Sequence, residues 1–318
     1  MPAFFHYLKH ISMNFKYKCQ LQKLFSDLPY GERLNYYFQR KVTKSLPPSN
    51  KQFLDKVATA VQHQQYFEEY NQIDQTTGKY YEFGAGWTLT VPMAMGVMGY
   101  DVHCIDIRRL LFPHLVQDSM QKFIRNREQL DLPCIKKWPK MGELKGLQER
   151  LREGFGLRYF APLDARDTGF DSGKFDFMSS TFTMEHIPKK DIKPILQECY
   201  RLLNDGGVLS MSIDYQDHWS YFDKSISVYN YLTYSANEWS KLNPSLHYQN
   251  RLRHSDYMSI IYETDFEVVK EEPWMPSDTD YDVLSNLELH EDYHNYALTD
   301  LGMRACEIVL RKPGKLSV

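Results

Sequence analysis

The chain has 318 residues, of which 42% are hydrophobic, and its formal net charge is -3. This length and apolar content suffice for one large domain or for a domain with a cap, while the charge excludes a global attraction to nucleic acid. The five cysteines are scattered, which indicates reduced thiols in a cytoplasmic protein rather than a disulfide framework. We therefore expect a globular, cytoplasmic enzyme.

Residues 1–72 precede the first predicted strand, and we interpret them as a helical cap in which Ser49 or Asn50 begins a helix that runs to about Tyr70. Residues 1–25 contain four lysines, no acidic residue and several large apolar side chains. Two interpretations stay open for this segment. It is either a helix lying on a membrane surface, or a helix packed on its own domain or on a second subunit of a homodimer.

Strands and helices alternate from Lys79 onward, which predicts a parallel sheet with right-handed crossovers. Strands are predicted at 79–84, 101–106, 157–161, 175–180, 207–214, 266–270 and 304–311. Helices are predicted at about 88–98, 109–127, 189–203 and 255–263, with an amphipathic helix inside the basic segment 136–158. The stretch 204–207 is predicted to end a helix and turn the chain, and Ser255 to cap a later helix.

The end of the first predicted strand is the most informative stretch, because Glu82 is followed by Gly84, Ala85 and Gly86. Glycine adopts positive φ without steric cost and lets the backbone approach a bulky ligand closely. The second predicted strand ends in Asp106, a carboxylate suited to binding ribose hydroxyls. Together these residues indicate a cofactor that contains adenosine.

The spacing of the glycines distinguishes two kinds of cofactor. A dinucleotide fingerprint requires a third glycine, yet Leu89 occupies that position. The carboxylate of Glu82 would repel a pyrophosphate but attract a cation such as S-adenosyl-L-methionine. In these residues the chain resembles the class I S-adenosylmethionine-dependent methyltransferases, whose first motif is an acidic residue, one spacer and G-x-G.

The resemblance covers about residues 75–315. It implies an α/β fold with a doubly wound, mostly parallel seven-stranded sheet whose last strand is antiparallel. It also implies a helical cap at 1–72 and a methyltransferase domain at 73–318, in which the aromatic insertion at about 215–254 forms a lid. S-adenosyl-L-methionine is expected to contact Glu82, Gly84, Ala85, Gly86, Asp106, Ile107, Asp164, Ala165, Thr181 and Phe182.

The turn after the fourth predicted strand contains Glu185 and His186, and it resembles the L-E-H-I/V-P stretch of that family. These residues either cap and orient the next helix, or they bind a divalent cation as E-x-x-E-H does in some O-methyltransferases. Phe182 replaces the first carboxylate of that pattern, so a cation would need another ligand such as His218. We assign no metal ligand.

A second pattern associated with metal binding, H-E-x-x-H, occurs at His290 to His294. It lies in an acidic, aromatic connection rather than in a predicted helix, and the sequence places no third ligand near it. We therefore interpret both histidines as surface residues.

A hydroxyl acceptor requires a base, and Asp214, His218 and His186 are the predicted catalytic residues. The alternative is that Asp214 and His218 only bind the substrate. Acceptor binding is predicted for His247, Arg251, Arg253 and His254, with a structural ion-pair and capping cluster as the alternative.

The lid and the run around Arg251 are similar to bacterial methyltransferases of surface-polysaccharide gene clusters. This second resemblance implies a small acceptor, namely a sugar or a nucleotide sugar, that is methylated on oxygen. Other possibilities are methyl transfer to oxygen or nitrogen of another metabolite, a scaffold of the same fold without turnover, and a nucleotide-sugar oxidoreductase.

Overall fold

The computed structural model describes residues 14–41, 45–133, 138 and 146–314. Its N-terminal helices are α1 (Phe15–Ser26), α2 (Gly31–Lys41) and α3 (Asn50–Tyr70). Ser49 caps α3, since its hydroxyl accepts the Gln52 N–H while the Gln52 side chain accepts the Ser49 N–H. The predicted start of this helix is confirmed. Residues 1–13, half of the segment considered for membrane contact, lie outside the described residues.

The strands form one sheet, composed of β1 (Lys79–Phe83), β2 (Asp101–Ile105), β3 (Leu157–Phe160), β4 (Phe175–Thr181), β5 (Leu203–Asp214), β6 (Glu267–Pro273) and β7 (Ala305–Arg311). Their order is β3-β2-β1-β4-β5-β7-β6, and β7 runs antiparallel to both of its neighbours. The predicted α/β, doubly wound, mostly parallel architecture is confirmed. The strand order reverses between β1 and β4, which is where open α/β sheets bind their ligands.

Helices cover both faces of the sheet. They are α4 (Thr90–Met98), α5 (Pro113–Arg125), α6 (Leu147–Phe155), α7 (Lys189–Leu202), α8 (Trp219–Phe222), α9 (Ala236–Leu242), α10 (His254–Ile261), α11 (Asp278–Ser285) and α12 (Leu298–Gly302). Neighbouring strand residues point to opposite faces, so Tyr80 packs in one hydrophobic core and Tyr81 in the other. Helix α3 shares the core of Tyr80, while the domain division at residue 72 stays a prediction.

Three of the predicted boundaries that differ from the structure have an identifiable local cause. Helix α5 begins at Pro113 rather than near 109, because proline is well suited to the first helical turn. The predicted turn at 204–207 lies inside β5, where Gly206 adopts a φ of 81° and its N–H donates to the Lys312 carbonyl. Arg253 rather than Ser255 caps α10, since the Ser255 hydroxyl donates to Asp300 instead.

The aromatic insertion at 215–254 folds into α8, α9 and short 3-10 turns that pack around Trp219, Tyr229, Tyr231 and Trp239. Phe15 of α1 belongs to the same cluster, and its N–H donates to the Asp223 carboxylate at 3.0 Å. The described part of the N-terminal segment therefore packs on its own domain. In the part of the chain that the structure describes, no helix combines the length and the apolar composition needed to cross a bilayer.

Candidate active site

A cavity of about 1180 Å³ opens at the carboxyl ends of β1, β2 and β4. It exceeds the roughly 300–1,000 Å³ of common ligand pockets, so a cofactor and a second small molecule fit together. Residues of α2 and of the segment 245–248 complete its walls. All ten residues predicted to contact the cofactor line this cavity, as do His186, His218 and His247.

The loop after β1 requires glycine at two positions. Gly84 and Gly86 have φ values of 75° and 67°, which side chains strongly disfavour. The Gly84 N–H donates to the Ile105 carbonyl at 3.0 Å, so the loop is fixed to the end of β2. A Cβ atom on Gly84 would lie 2.3 Å from the side chain of Thr183, on the loop after β4. The two loops that border the cavity therefore touch, and their backbone is open to a ligand.

Asp106 follows β2 and is fixed by the same loops. Its carboxylate accepts the N–H of Gly86 at 3.3 Å and the N–H of Arg108 at 3.1 Å, and burial raises its pKa. Each carboxylate oxygen retains a lone pair for a further donor, as ribose binding requires. The neighbouring Ile107 side chain is 62% exposed although it is apolar, which fits contact with a flat heterocycle.

Glu82 is buried beneath the glycine loop and accepts the Tyr80 hydroxyl at 2.7 Å. Burial raises the pKa of Glu82 to about 8. A cationic ligand above this carboxylate would favour its ionised form and gain electrostatic energy in return. The donor set and the open glycine backbone therefore fit a cationic adenosine cofactor.

Asp164 and Ala165 line the cavity after β3. The guanidinium of Arg166 donates to both oxygens of Asp164, and these hydrogen bonds hold the pKa of that carboxyl below its usual value. The carboxylate is thus ionised and fixed in place. Its contact with an adenine amino group stays a prediction.

Thr181 and Phe182 end β4 at the cavity. Phe182 has a φ of 48°, a conformation that costs energy for a residue with a side chain, and its ring is 44% exposed. The Thr181 hydroxyl is hydrogen-bonded to Nε2 of His63, whose Nδ1 meets the Ser210 hydroxyl at 2.6 Å. Burial lowers the pKa of His63 to about 3, so it supports Thr181 as a neutral ring. No motif in α3 marked His63 in advance.

The second half of the site is a group that we call the acid-histidine cluster, formed by Glu185, His186, Asp214 and His218. One ligand atom each from Glu185, His186 and His218 lies within 4.8 Å of the others. Nε2 of His218 lies 3.3 Å from Oδ2 of Asp214. The sequence predicted three of these four residues as catalytic, and the fold brings them together from β4, β5 and the lid.

Two hydrogen bonds define the chemistry of this cluster. Nδ1 of His186 donates to the Tyr248 carbonyl at 2.7 Å, so Nε2 carries the lone pair when the ring is neutral. Although burial alone would raise the pKa of Asp214, the neighbouring His218 ring and a hydrogen bond from the Tyr221 hydroxyl hold it below its usual value. Asp214 is therefore an ionised partner for His218, although it does not itself line the cavity.

Glu185 does not cap the next helix, which contradicts one interpretation of the sequence. Helix α7 begins after Pro188 without a side-chain cap, and Glu185 lies in the preceding 3-10 turn at 2% exposure. Neither of its carboxylate oxygens has a hydrogen-bond partner among the residues that the structure describes. Burial, and then the nearby Asp214, raise the pKa of Glu185 well above its usual value.

Arg251, Arg253 and His254 do not line the cavity, which favours the alternative of a structural cluster over the predicted role in acceptor binding. Arg251 donates to the Tyr231 carbonyl at 3.1 Å, and His254 is hydrogen-bonded to Tyr215 and Glu271. Arg253 is fully buried and donates to the Tyr231 hydroxyl and to the backbone carbonyls of Tyr215, Asp300, Leu301 and Met303. These hydrogen bonds fix the insertion at 215–254 to its surroundings, while the role in acceptor binding stays a prediction.

We expect Arg253→Met to lower the free energy of unfolding by about 3 kcal/mol or more, because several buried carbonyls lose their donor at roughly 1–3 kcal/mol each. Urea denaturation measures this difference. The exposed Arg125→Met is the control and should change stability by less than about 0.5 kcal/mol. Unchanged stability of the Arg253 variant together with a raised KM would restore the role in acceptor binding.

The H-E-x-x-H pattern does not assemble a metal site within the described part of the chain. His290 and His294 belong to no group of three potential ligands there. Nδ1 of His290 instead accepts the N–H of Asp292, which closes a short turn.

Comparison with protein families matches residues 140–211 to the model of the methyltransferase domain. The matched segment contains Asp164, Thr181, Phe182, Glu185 and His186. Among curated proteins no match was found.

Several solved structures are similar in fold at low sequence identity. An S-adenosylmethionine-dependent methyltransferase from Methanosarcina mazei is 14% identical, with 78% of this chain and 97% of that chain covered and a TM-score of 0.45. A geranyl diphosphate C-methyltransferase from Streptomyces coelicolor A3(2) is 12% identical, with 84% of this chain and 86% of that chain covered and a TM-score of 0.45. The magnesium protoporphyrin IX methyltransferase from Synechocystis PCC 6803 is 13% identical, with 81% of this chain and 82% of that chain covered and a TM-score of 0.43. The match over residues 140–211 and the strand order together support a methyltransferase that uses S-adenosyl-L-methionine.

Proposed function

We propose that this protein transfers a methyl group from S-adenosyl-L-methionine to a hydroxyl oxygen of a small acceptor, with sugars and nucleotide sugars as the substrate class. The observation that supports it best is the contact of Asp214 with His218, because the His218 ring lines the same cavity as the glycine loop. A hydroxyl acceptor needs a group that takes its proton, whereas a stronger nucleophile does not. This pair supplies such a group.

The residues at the strand ends hold the cofactor in this proposal. Asp106 accepts the ribose hydroxyls, Ile107 contacts the adenine ring, and Glu82 attracts the cationic end. When bound, S-adenosyl-L-methionine supplies an electrophilic methyl carbon and leaves as a neutral thioether. The strained Phe182 lies between this region and the acid-histidine cluster in sequence and lines the same cavity, so it is placed to shield the transfer from water.

The protein's own part in the chemistry is to orient the acceptor and remove its proton. The acceptor oxygen forms a bond to the methyl carbon while the carbon–sulfur bond breaks. The hydroxyl proton passes to the ring of His218, which lines the cavity. The charge of Asp214 stabilises the protonated ring of His218, because Nε2 of His218 lies 3.3 Å from Oδ2 of Asp214. His186 is neutral, since burial and His218 lower its pKa, and its fixed ring borders the acceptor side of the cavity.

The walls on the lid side support a sugar acceptor. His247 and Tyr248 of the lid line the cavity, and sugar rings stack their apolar faces on aromatic side chains. We further propose that the protein acts in the cytoplasm; homodimer formation and membrane contact through residues 1–25 stay predictions.

Calorimetric titration and product analysis test the proposed function. We expect the protein to bind S-adenosyl-L-homocysteine at micromolar concentration and to show no binding of NAD. Incubation with a methyl-labelled cofactor and a panel of sugars and nucleotide sugars should place the label on oxygen. Binding of NAD alone would identify an oxidoreductase, absence of any cofactor binding would identify a scaffold, and label on nitrogen would contradict the hydroxyl acceptor.

A further inference from the structure

Glu185 is the buried polar group of the site that the proposed reaction does not use. Its side chain is 2% exposed, and in the described part of the chain both carboxylate oxygens lie without a hydrogen-bond partner. An unpartnered buried carboxyl group costs free energy whether it is neutral or ionised. The protein nevertheless holds this turn rigidly, because Asn250 donates to the carbonyls of Met184 and Ile187 and its own N–H donates to the Glu185 carbonyl.

The neighbours of Glu185 are two imidazoles that converge on the same point. His186 and His218 bring a ring nitrogen to within 4.8 Å of a Glu185 oxygen and of one another, and their ring centroids lie 5.0 Å apart. No lysine or arginine of the described residues is hydrogen-bonded to this carboxyl group. Three Lewis-basic atoms around one point are the arrangement that a metal ion requires.

We propose that Glu185, His186 and His218 bind a divalent transition cation of the Zn²⁺ type, which takes part in the methyl transfer proposed above. Two imidazole nitrogens and one carboxylate oxygen are ligands that Zn²⁺ and its first-row neighbours accept in open, catalytic sites. Mg²⁺ instead prefers oxygen ligands alone. The fourth coordination position is left for a ligand from the cavity.

Groups around the three ligands fit this assignment. Nδ1–H of His186 donates to the Tyr248 carbonyl, which fixes the tautomer that exposes Nε2, and metal-bound histidines are commonly held in this way. Asp214 lies beside His218 and orients its ring, while the Tyr221 hydroxyl in turn donates to Asp214. The site therefore possesses an outer shell of hydrogen bonds as well as its ligands.

The inference rests on the proposed function and defines how the acceptor proton is lost. An acceptor hydroxyl bound at the open position would have a lowered pKa, because a divalent cation stabilises the alkoxide. His218 then serves as a ligand, and the hydroxyl proton leaves to solvent in the cavity, because Asp214 does not line the cavity. The oxygen gains the methyl group as the carbon–sulfur bond breaks, so the step needs no oxidant or reductant.

Metal titration of the chelator-treated full-length protein tests the site directly. We expect one equivalent of Zn²⁺ to bind by calorimetry, and one equivalent of Co²⁺ to give visible absorption bands of a low-symmetry nitrogen-oxygen site. Glu185→Gln keeps the size of the side chain and should weaken Zn²⁺ binding about 100-fold or more, since even outer-shell changes cost 10- to 100-fold. Circular dichroism verifies that the variant folds.

Two matched variants control for general effects. Glu307→Gln alters another buried carboxyl group, one that accepts the Ser212 hydroxyl and lies outside the cavity, and His290→Asn alters the H-E-x-x-H pattern. Both should bind Zn²⁺ as the unaltered protein does. The proposal is overturned if no stoichiometric binding occurs, if Glu185→Gln binds with unchanged affinity, or if only His290→Asn loses the metal.

The failure of this inference is distinguishable from failure of the proposed function. Methyl transfer at full rate by chelator-treated protein, with no Zn²⁺ bound, would remove the cation and leave the hydroxyl methyltransferase intact. Stoichiometric Zn²⁺ binding that depends on Glu185, without methyl transfer to any hydroxyl, would retain the site and remove the proposed reaction.

Discussion

His218→Ala is expected to lower kcat for methyl transfer about 100- to 10,000-fold while the affinity for S-adenosyl-L-homocysteine changes little. The ring lies beside Asp214 and lines the cavity, whereas the adenosine contacts are predicted at the glycine loop and the neighbouring strand ends. Its loss removes the proton acceptor, or a cation ligand, without altering the adenosine contacts. Initial rates at saturating cofactor measure the effect, and calorimetry measures the affinity.

Asp214→Asn is the companion variant, because it keeps the shape of the side chain and removes its charge. We expect a loss of kcat of about 100-fold or more, as the protonated pair then lacks its counter-ion. His254→Ala is the control, since that ring is buried against Tyr215 and Glu271 outside the cavity. The control should keep the kcat of the unaltered protein. Full kcat in both His218→Ala and Asp214→Asn would remove the pair from the mechanism.

The position at one cavity of the residues predicted to bind the cofactor could be inferred from the sequence because the signals are local. Glu82, Gly84 and Gly86 lie within five positions, and the turn from strand to helix dictates their conformation. Asp106 follows from the same rule, since parallel strands bring their carboxyl ends to one edge of the sheet. The structure places these residues around one cavity for that reason.

The roles of Arg253 and Glu185 could not be predicted, because their environments depend on distant parts of the chain. The run around Arg253 is dense in donors, yet the carbonyls that use them include Asp300 to Met303, nearly fifty positions away. Glu185 resembles a helix cap in sequence, but the fold buries it beside His218, which the lid supplies. A linear pattern shows which groups are present and not which partners satisfy them.

His63 is a further residue whose role could not be predicted from the sequence. It lies in α3 without a motif and supports Thr181 through a hydrogen bond, while Ser210 on β5 holds its second nitrogen. The partners lie 118 and 147 positions away in sequence. Only the packing of α3 on the sheet, which buries the ring completely, creates this contact.

Gly84→Ala is expected to weaken binding of S-adenosyl-L-homocysteine about 100-fold or more. At a φ of 75°, a residue with a side chain has backbone strain of order 1–3 kcal/mol. If the loop relaxes away from its binding conformation, each 1.4 kcal/mol of this strain lowers the affinity about tenfold. The added Cβ would also lie 2.3 Å from the Thr183 side chain, so the loops after β1 and β4 must separate. Both loops line the cavity, and both are expected to contact the cofactor.

Two further variants isolate the cause of this loss. Gly78→Ala has nearly the same backbone strain, with a φ of 72°, but its Cβ meets nothing within 4 Å, so it should reduce stability and leave the affinity unchanged. In the double variant Gly84→Ala with Thr183→Gly, all three close contacts of the new Cβ disappear, and we expect part of the affinity to return. Titration calorimetry at one temperature compares the four proteins. If Gly84→Ala binds as tightly as the unaltered chain, the glycine loop does not form the cofactor site, because close backbone approach is the property that assigns it that role.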